Sequence, residues 1–266
     1  MKDLYLKLFR DCSANLYRIS GKMWSFREFG HFVAMAGKEY HKESVKLMVV
    51  GRATNGWYRL EADDENTFGT AVEKELAGQG FSWVVGSDAE NGLMNGEGDY
   101  TLSSSAFWRT TKNIWRKLSG KESDRWVDHI AWSNLYKVAP RNDTEETRYD
   151  YANPSQTLCR KQLDACHKIL QREVEEYKPT HLLFITGWDW LYDWASDFGR
   201  NDSAVFEGMR KQPPIGKHTY ENGIFVEGAF NYRVKDHEVK VVVACRPERR
   251  PEQEFVDQVI GAFNGL

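Results

Sequence analysis

Val45-Lys46-Leu47-Met48-Val49-Val50-Gly51 is a short, β-branched-rich apolar run that stops at a glycine. A run apolar on both faces reads as a strand buried on both sides of a sheet. Three later stretches share the pattern: Asp128-His129-Ile130-Ala131-Trp132-Ser133-Asn134-Leu135, Thr180-His181-Leu182-Leu183-Phe184-Ile185-Thr186-Gly187 and Lys240-Val241-Val242-Val243-Ala244-Cys245. Elsewhere the apolar period becomes helical, over 67–78, 105–119, 154–177, 188–198 and 251–263. Pro154 and Pro179 bracket the clearest of these helices. Strands that each lead toward a helix predict an α/β fold, a three-layer αβα sandwich with a central, mainly parallel four-stranded sheet. Residues 223–233 read as an extra strand or hairpin arm.

Upstream of the first strand, residues 3–20 and 24–40 have helical periodicity, with Gly21 as a stop between them. Residues 1–40 are therefore expected to form an N-terminal helical extension packed on a domain spanning 41–266. No Gly/Ser-rich linker or internal repeat divides that domain. Residues 86–105, with four glycines, read as a long loop of the kind that carries function.

Composition narrows the function classes. In 266 residues, 41% hydrophobic and 28% charged, there is material for a packed core rather than for disorder. A net charge of −3 and a pI near 6.2 give no general pull toward nucleic acid, so binding it would need a local basic patch. No apolar run is long enough to span a membrane, and the first residues carry no signal-peptide pattern. Cys12, Cys159, Cys166 and Cys245 form no CxxC pair and read as buried reduced thiols of a cytoplasmic protein. No metal or other cofactor is expected. There is no Gly-x-Ser-x-Gly elbow and no HExxH pair, and His129 and His181 read as packed residues. Aromatics reach 14% with 10 Trp, enough to line a cleft, although Trp188, Trp190 and Trp194 have the spacing of a helix core.

Ligands of open α/β sheets gather where strands end, so the segments after the four strands hold the candidate site. Gly51-Arg52-Ala53-Thr54-Asn55-Gly56 is a small polar turn between glycines, where backbone N–H groups can approach a phosphate or a base. Asn134 carries both a donor and an acceptor for a base edge, and equally could cap its own turn. Gly187 closes the third strand. Arg246-Pro247-Glu248-Arg249-Arg250-Pro251 sets three arginines between stiffening prolines, either to fork phosphates or to pair with Glu248, Glu252 and Glu254.

Taken in order, these segments resemble the uracil-DNA glycosylase superfamily. Gly51-Arg52-Ala53-Thr54-Asn55-Gly56 is similar to that family's first motif, Ser133-Asn134-Leu135-Tyr136-Lys137 to its second strand end, and Val241–Glu248 to its last motif, with Phe107-Trp108 opening a helix. The resemblance covers about residues 45–263. Arg246 stands where the family has His, Glu248 where it has Ser, and Ala53-Thr54 where an acidic or amide residue and Pro are usual. The resemblance implies N-glycosidic cleavage of a base flipped from DNA. Asn134 would read the base, with Tyr58 or Phe68 stacking on it. Arg246 would stabilise the departing base anion, and Arg249 and Arg250 would hold the flanking phosphates. Asn55 would stand in the first motif, and Asp63, Asp64 or Glu61 would supply the carboxylate, unless they form an acidic surface turn. A recognition module without catalysis, and a binder of nucleotides or phosphorylated metabolites, are the alternatives.

Overall fold

The computed structural model describes residues 1–20, 29–53, 65–74, 76, 105–144, 147–151, 156–187, 190 and 219–266. In chain order the elements are α1 (Lys2–Ser20), β1 (Phe29–His31), β2 (Met35–Ala36), β3 (Leu47–Gly51), α2 (Glu65–Lys74), α3 (Ala106–Ser119), β4 (Ala131–Asn134), β5 (Val138–Thr144), β6 (Thr147–Tyr151), α4 (Gln156–Tyr177), β7 (His181–Ile185), β8 (Val226–Val234), β9 (His237–Ala244) and α5 (Glu252–Asn264). The chain divides into two compact units. The first comprises Met1–Met35, Gly51–Gln79 and Ser133–Glu176; the second comprises Ala36–Val50, Gly80–Trp132 and Tyr177–Leu266.

The protein is α/β, with a six-stranded, mostly parallel sheet in the order β2-β4-β3-β7-β9-β8. Six strands, not the four expected, make this sheet. β3, β7 and β9 run parallel, with Leu47 opposite His181 and His181 opposite Lys240. Every residue of β3 and the last four of β7 and of β9 are buried, as strands covered on both faces must be. β8 differs because it is the edge. Its burial alternates from Phe230 to Val234, and it pairs antiparallel with β9 through a two-residue turn in which Lys235 has φ 55.

In the second unit, α3 begins at Ser105, whose side chain accepts from the Trp108 N–H, and ends at Gly120 with φ 67. Its polar seam with α5 joins Arg109 and Asn113 to Glu252, and Lys117 to Asp257. α5 also packs against β8 and β9. Trp108, Trp126 and Trp132 form an edge-on aromatic cluster, with Trp108 and Trp132 centroids 4.9 Å apart.

The expected helix over 24–40 is not formed in its described part. Residues 29–31 and 35–36 are strands, and Tyr40–Lys42 is a 3-10 turn. The reason is tertiary. β1 pairs antiparallel with β5, Phe29 opposite Pro140, and Phe32 through Met35 are buried in succession rather than on one helical face. In the second unit Gly37 donates to the Ile130 carbonyl, and a Cβ there would come within 2.3 Å of the Asp128 backbone. Only glycine fits that approach.

The segment after Asn134, expected to be a loop, continues into β5 and hairpins to β6, giving a three-stranded sheet β1-β5-β6 in the first unit. There α1 presents Tyr5, Leu8 and Phe9 on one face, and Phe9 meets Phe68 of α2 with ring centroids 5.6 Å apart. The stretch expected as a strand from Asp128 starts with a 3-10 turn, Trp126–His129, and is extended only over β4. Among the described residues, no helix is long and apolar enough to cross a membrane.

Candidate functional site

In the first unit, the backbone joins two of the candidate segments. The Leu135 N–H donates to the Gly51 carbonyl at 2.9 Å, and the Tyr136 N–H donates to the Arg52 carbonyl at 3.0 Å. Gly51 is buried, while Arg52 and Ala53 are half-buried. Asn134, the last residue of β4, is 2% exposed, and its Nδ2 has no hydrogen-bond partner among the described residues. Buried side-chain amides are normally paired, so an open donor at a strand end is an exception that calls for a cause. Leaving it open costs about 1–3 kcal/mol, which an incoming carbonyl would recover.

Around that amide the polar groups are matched. Lys137 and Glu173 are both fully buried and form an ion pair, with Lys137 Nζ 2.8 Å from Glu173 Oε1 and 3.0 Å from Oε2. The third ammonium proton goes to Ser133 Oγ at 2.5 Å, and the Ser133 hydroxyl donates to Glu173 Oε2 at 2.6 Å. Tyr5 of α1 donates to Glu173 Oε1 at 2.9 Å and accepts from the Ala34 N–H at 3.2 Å. Gln162 completes the clamp. Its Oε1 accepts from the Lys137 and Val138 N–H groups, and its Nε2 donates to the Val138 carbonyl. Cys166 gives its thiol proton to the same Oε1, and burial pushes that thiol up to about 12, so it is no thiolate nucleophile.

None of Lys137, Glu173, Tyr5 or Gln162 is singled out by the strand-end reading. One signal was available: Gln162 and Glu173 fall on the apolar face of α4, in step with Leu163, Cys166, Ile169, Leu170 and Val174. A carboxylate on a buried helix face needs a partner, and Lys137, flanked by Tyr136 and Val138, is the matching lone charge.

The remaining candidates lie elsewhere. Phe68 is 1% exposed and packed on Phe9, within the core of the first unit. In the second unit, Gly187 has φ 76 and its N–H donates to the Ala244 carbonyl, tying the ends of β7 and β9. Arg246 is exposed and ion-paired with Glu248. Arg249 is exposed with φ 63, and the Arg250 N–H closes a turn onto the Pro247 carbonyl. Thr54, Asn55, Tyr58, Glu61, Asp63 and Asp64 lie outside the described residues, as do the expected loop 86–105 apart from Ser105 and the expected helix 188–198 apart from Trp190.

A second buried carboxylate belongs to the other unit. Glu43 accepts from Lys121 at 2.6 Å and meets His129 Nδ1 at 2.7 Å, with the imidazole stacked on Trp115. Burial pushes the Glu43 carboxyl up, but the hydrogen bonds and charges of Lys121 and His129 outweigh it and hold the group below its ordinary range. His129 precedes β4, whereas Asn134 ends it, so this cluster is at the strand's entry. Among the described residues, no group of three or more His, Cys, Asp or Glu could hold a metal ion. No protein-family model and no curated protein matches the chain.

Proposed function

We propose that this chain is a uracil-DNA glycosylase-like protein, a three-layer α/β sandwich that takes a nucleobase against Asn134 at the end of β4. The observation that carries the reading is the buried amide of Asn134 beside the Gly51-Arg52 turn, whose Nδ2 has no hydrogen-bond partner among the described residues. A base carbonyl supplies the acceptor that this amide lacks, and the interior around it strengthens the bond relative to water. In the enzymatic form water adds to the sugar carbon as the C–N bond breaks and the base leaves as an anion; the family resemblance would assign the countering charge to Arg246, phosphate contacts to Arg249 and Arg250, and the sugar to Asn55 with Asp63 or Asp64.

One observation favours a second reading, recognition without cleavage. The Arg246 guanidinium is already engaged by Glu248 on the surface, where it is a weaker stabiliser of a leaving anion. One assay separates the two. Oligonucleotides carrying uracil, hypoxanthine or alkylated bases, single- and double-stranded, are incubated with the full chain and with Asn134→Ala. Abasic sites formed only by the wild-type chain support the enzyme, while Asn134-dependent binding without abasic sites supports the module. Binding that ignores both the base and Asn134 removes both readings.

A further inference from the structure

We infer that Lys137 and Glu173 are positioning residues, whose buried ion pair, completed by Ser133 and Tyr5, fixes the orientation in which Asn134 meets a planar ligand bearing a ring carbonyl, such as an oxo-pyrimidine base. The inference rests on the reading of Asn134 as the base-contacting residue and adds a specificity device beneath it.

The argument begins with hydrogen-bond capacity. A carboxylate offers about four acceptor sites, and Glu173 fills them with Tyr5, Ser133 and two bonds from Lys137. The ammonium spends its three protons on Glu173 and Ser133, and its charge also lies 5.4 Å from the centre of the Phe32 ring. Nothing in this group is left to bind a ligand. Its cost is high, because two charges are taken out of water, and replacing such a pair with apolar residues is often neutral for stability or better. Stability alone is therefore a poor reason for its presence.

What the pair does is grip one short stretch from both sides. Ser133 immediately precedes Asn134, and Lys137 follows three residues later. Gln162 and Glu173, about three turns apart on one face of α4, hold the Lys137–Val138 backbone and the Ser133 and Lys137 side chains. The intervening Leu135 and Tyr136 are held by the Gly51 and Arg52 carbonyls, and the Phe32 N–H donates to the Lys137 carbonyl at 2.7 Å. The N–H groups of Leu135, Tyr136, Lys137 and Val138 and the side chains of Ser133 and Lys137 are all held by hydrogen bonds, whereas the Asn134 Nδ2 has no partner among the described residues. A donor on a rigid base discriminates between ligand geometries better than one free to turn.

The test uses the full chain labelled with nitrogen-15, with the Asn134 side-chain amide identified by its loss in Asn134→Ala. The double variant Lys137→Met/Glu173→Leu removes both charges with apolar groups of similar volume. It should melt within a few degrees of the wild type while its Asn134 amide resonances shift toward those of a solvent-averaged asparagine. Its affinity for free uracil should fall about tenfold, with the preference for uracil over cytosine lost, the scale of one misplaced hydrogen bond. An unchanged Asn134 amide together with unchanged preference overturns the inference. If the double variant does not fold, Ser133→Ala and Tyr5→Phe each remove one hydroxyl of the network, and an undisturbed Asn134 amide in both overturns it equally. Should wild type bind no uracil, or bind it as well without Asn134, the base-recognition reading fails. The amide resonances then still decide whether the ion pair sets Asn134.

Discussion

The end of β4 and the loop after β9 carry the two sets of residues that the strand-end argument selects, and they are built on opposite principles. At the end of β4 the charges are sealed. Lys137 and Glu173 have no exposed surface, every polar atom of the pair is matched, and the neutral amide of Asn134 beside them has no hydrogen-bond partner among the described residues. After β9 the Arg246 and Arg249 side chains are exposed, while Glu248 and Arg250 are half-buried. Arg246 pairs with Glu248 at side-chain exposures of 51% and 40%, and Arg249 bends the chain at φ 63. Burial makes each bond of the first region specific and expensive to break. Solvent makes those of the second cheap, screened and exchangeable. A region that orients a ligand resembles the first, and one that attracts an anion resembles the second.

The largest effect that would sharpen this contrast is on stability. Lys137→Met strands Glu173 in the interior, and urea unfolding should show a loss of about 3–5 kcal/mol, whereas the double apolar variant recovers most of it. A single variant within 1 kcal/mol of wild type would break the contrast, because the pair would then be behaving as a surface one. Next comes Asn134→Ala. Base affinity measured by titration should fall roughly 10- to 100-fold, the worth of one buried hydrogen bond to ligand, with little change in unfolding midpoint.

Acid should act on both units with the same sign. Burial, assisted by Lys240, pushes His181 down to about 4, and burial pushes His167 down to about 3. Each imidazole is neutral in the fold but takes a proton when unfolded near its ordinary value of 6.5. Their stabilising contribution is present above that value and is lost as pH falls from there toward the folded value. His181→Gln should therefore flatten the decline of the urea midpoint between pH 6.5 and about 4. From its ordinary value of 4.5 downward Glu43 acts in the same direction, its contribution fading as the carboxyl takes a proton. The smallest effect belongs to the loop. Glu248→Ala should change stability by no more than about 1 kcal/mol, and that change should vanish in high salt.

The sequence reading found the segments and missed much of their wiring. β3, β7 and β9 were legible because a strand covered on both faces is a continuous apolar run, and α2, α3, α4 and α5 were legible from period and proline. β2 was not, since two residues carry no period and Phe32–Met35 mimic a helix segment. β5 and β6 were hidden because Asn134–Pro140 combines a strand end with a proline that β1 tolerates at a sheet position. Asn134 stood out by type and place. Lys137 and Glu173 did not, because a single charge in an apolar stretch announces a need for a partner without naming it.

By itself, then, the order of apolar runs and periods determined an α/β chain with parallel strands and candidate groups at their ends, since burial on two faces leaves a local mark. Tertiary structure alone decided that the sheet has six strands and that Glu173 meets Lys137, Ser133 and Tyr5. It also left the Asn134 Nδ2 without a hydrogen-bond partner among the described residues. Pairing across 36 or 168 positions of sequence leaves no periodic trace, because it is set by which surfaces the folded chain brings into contact.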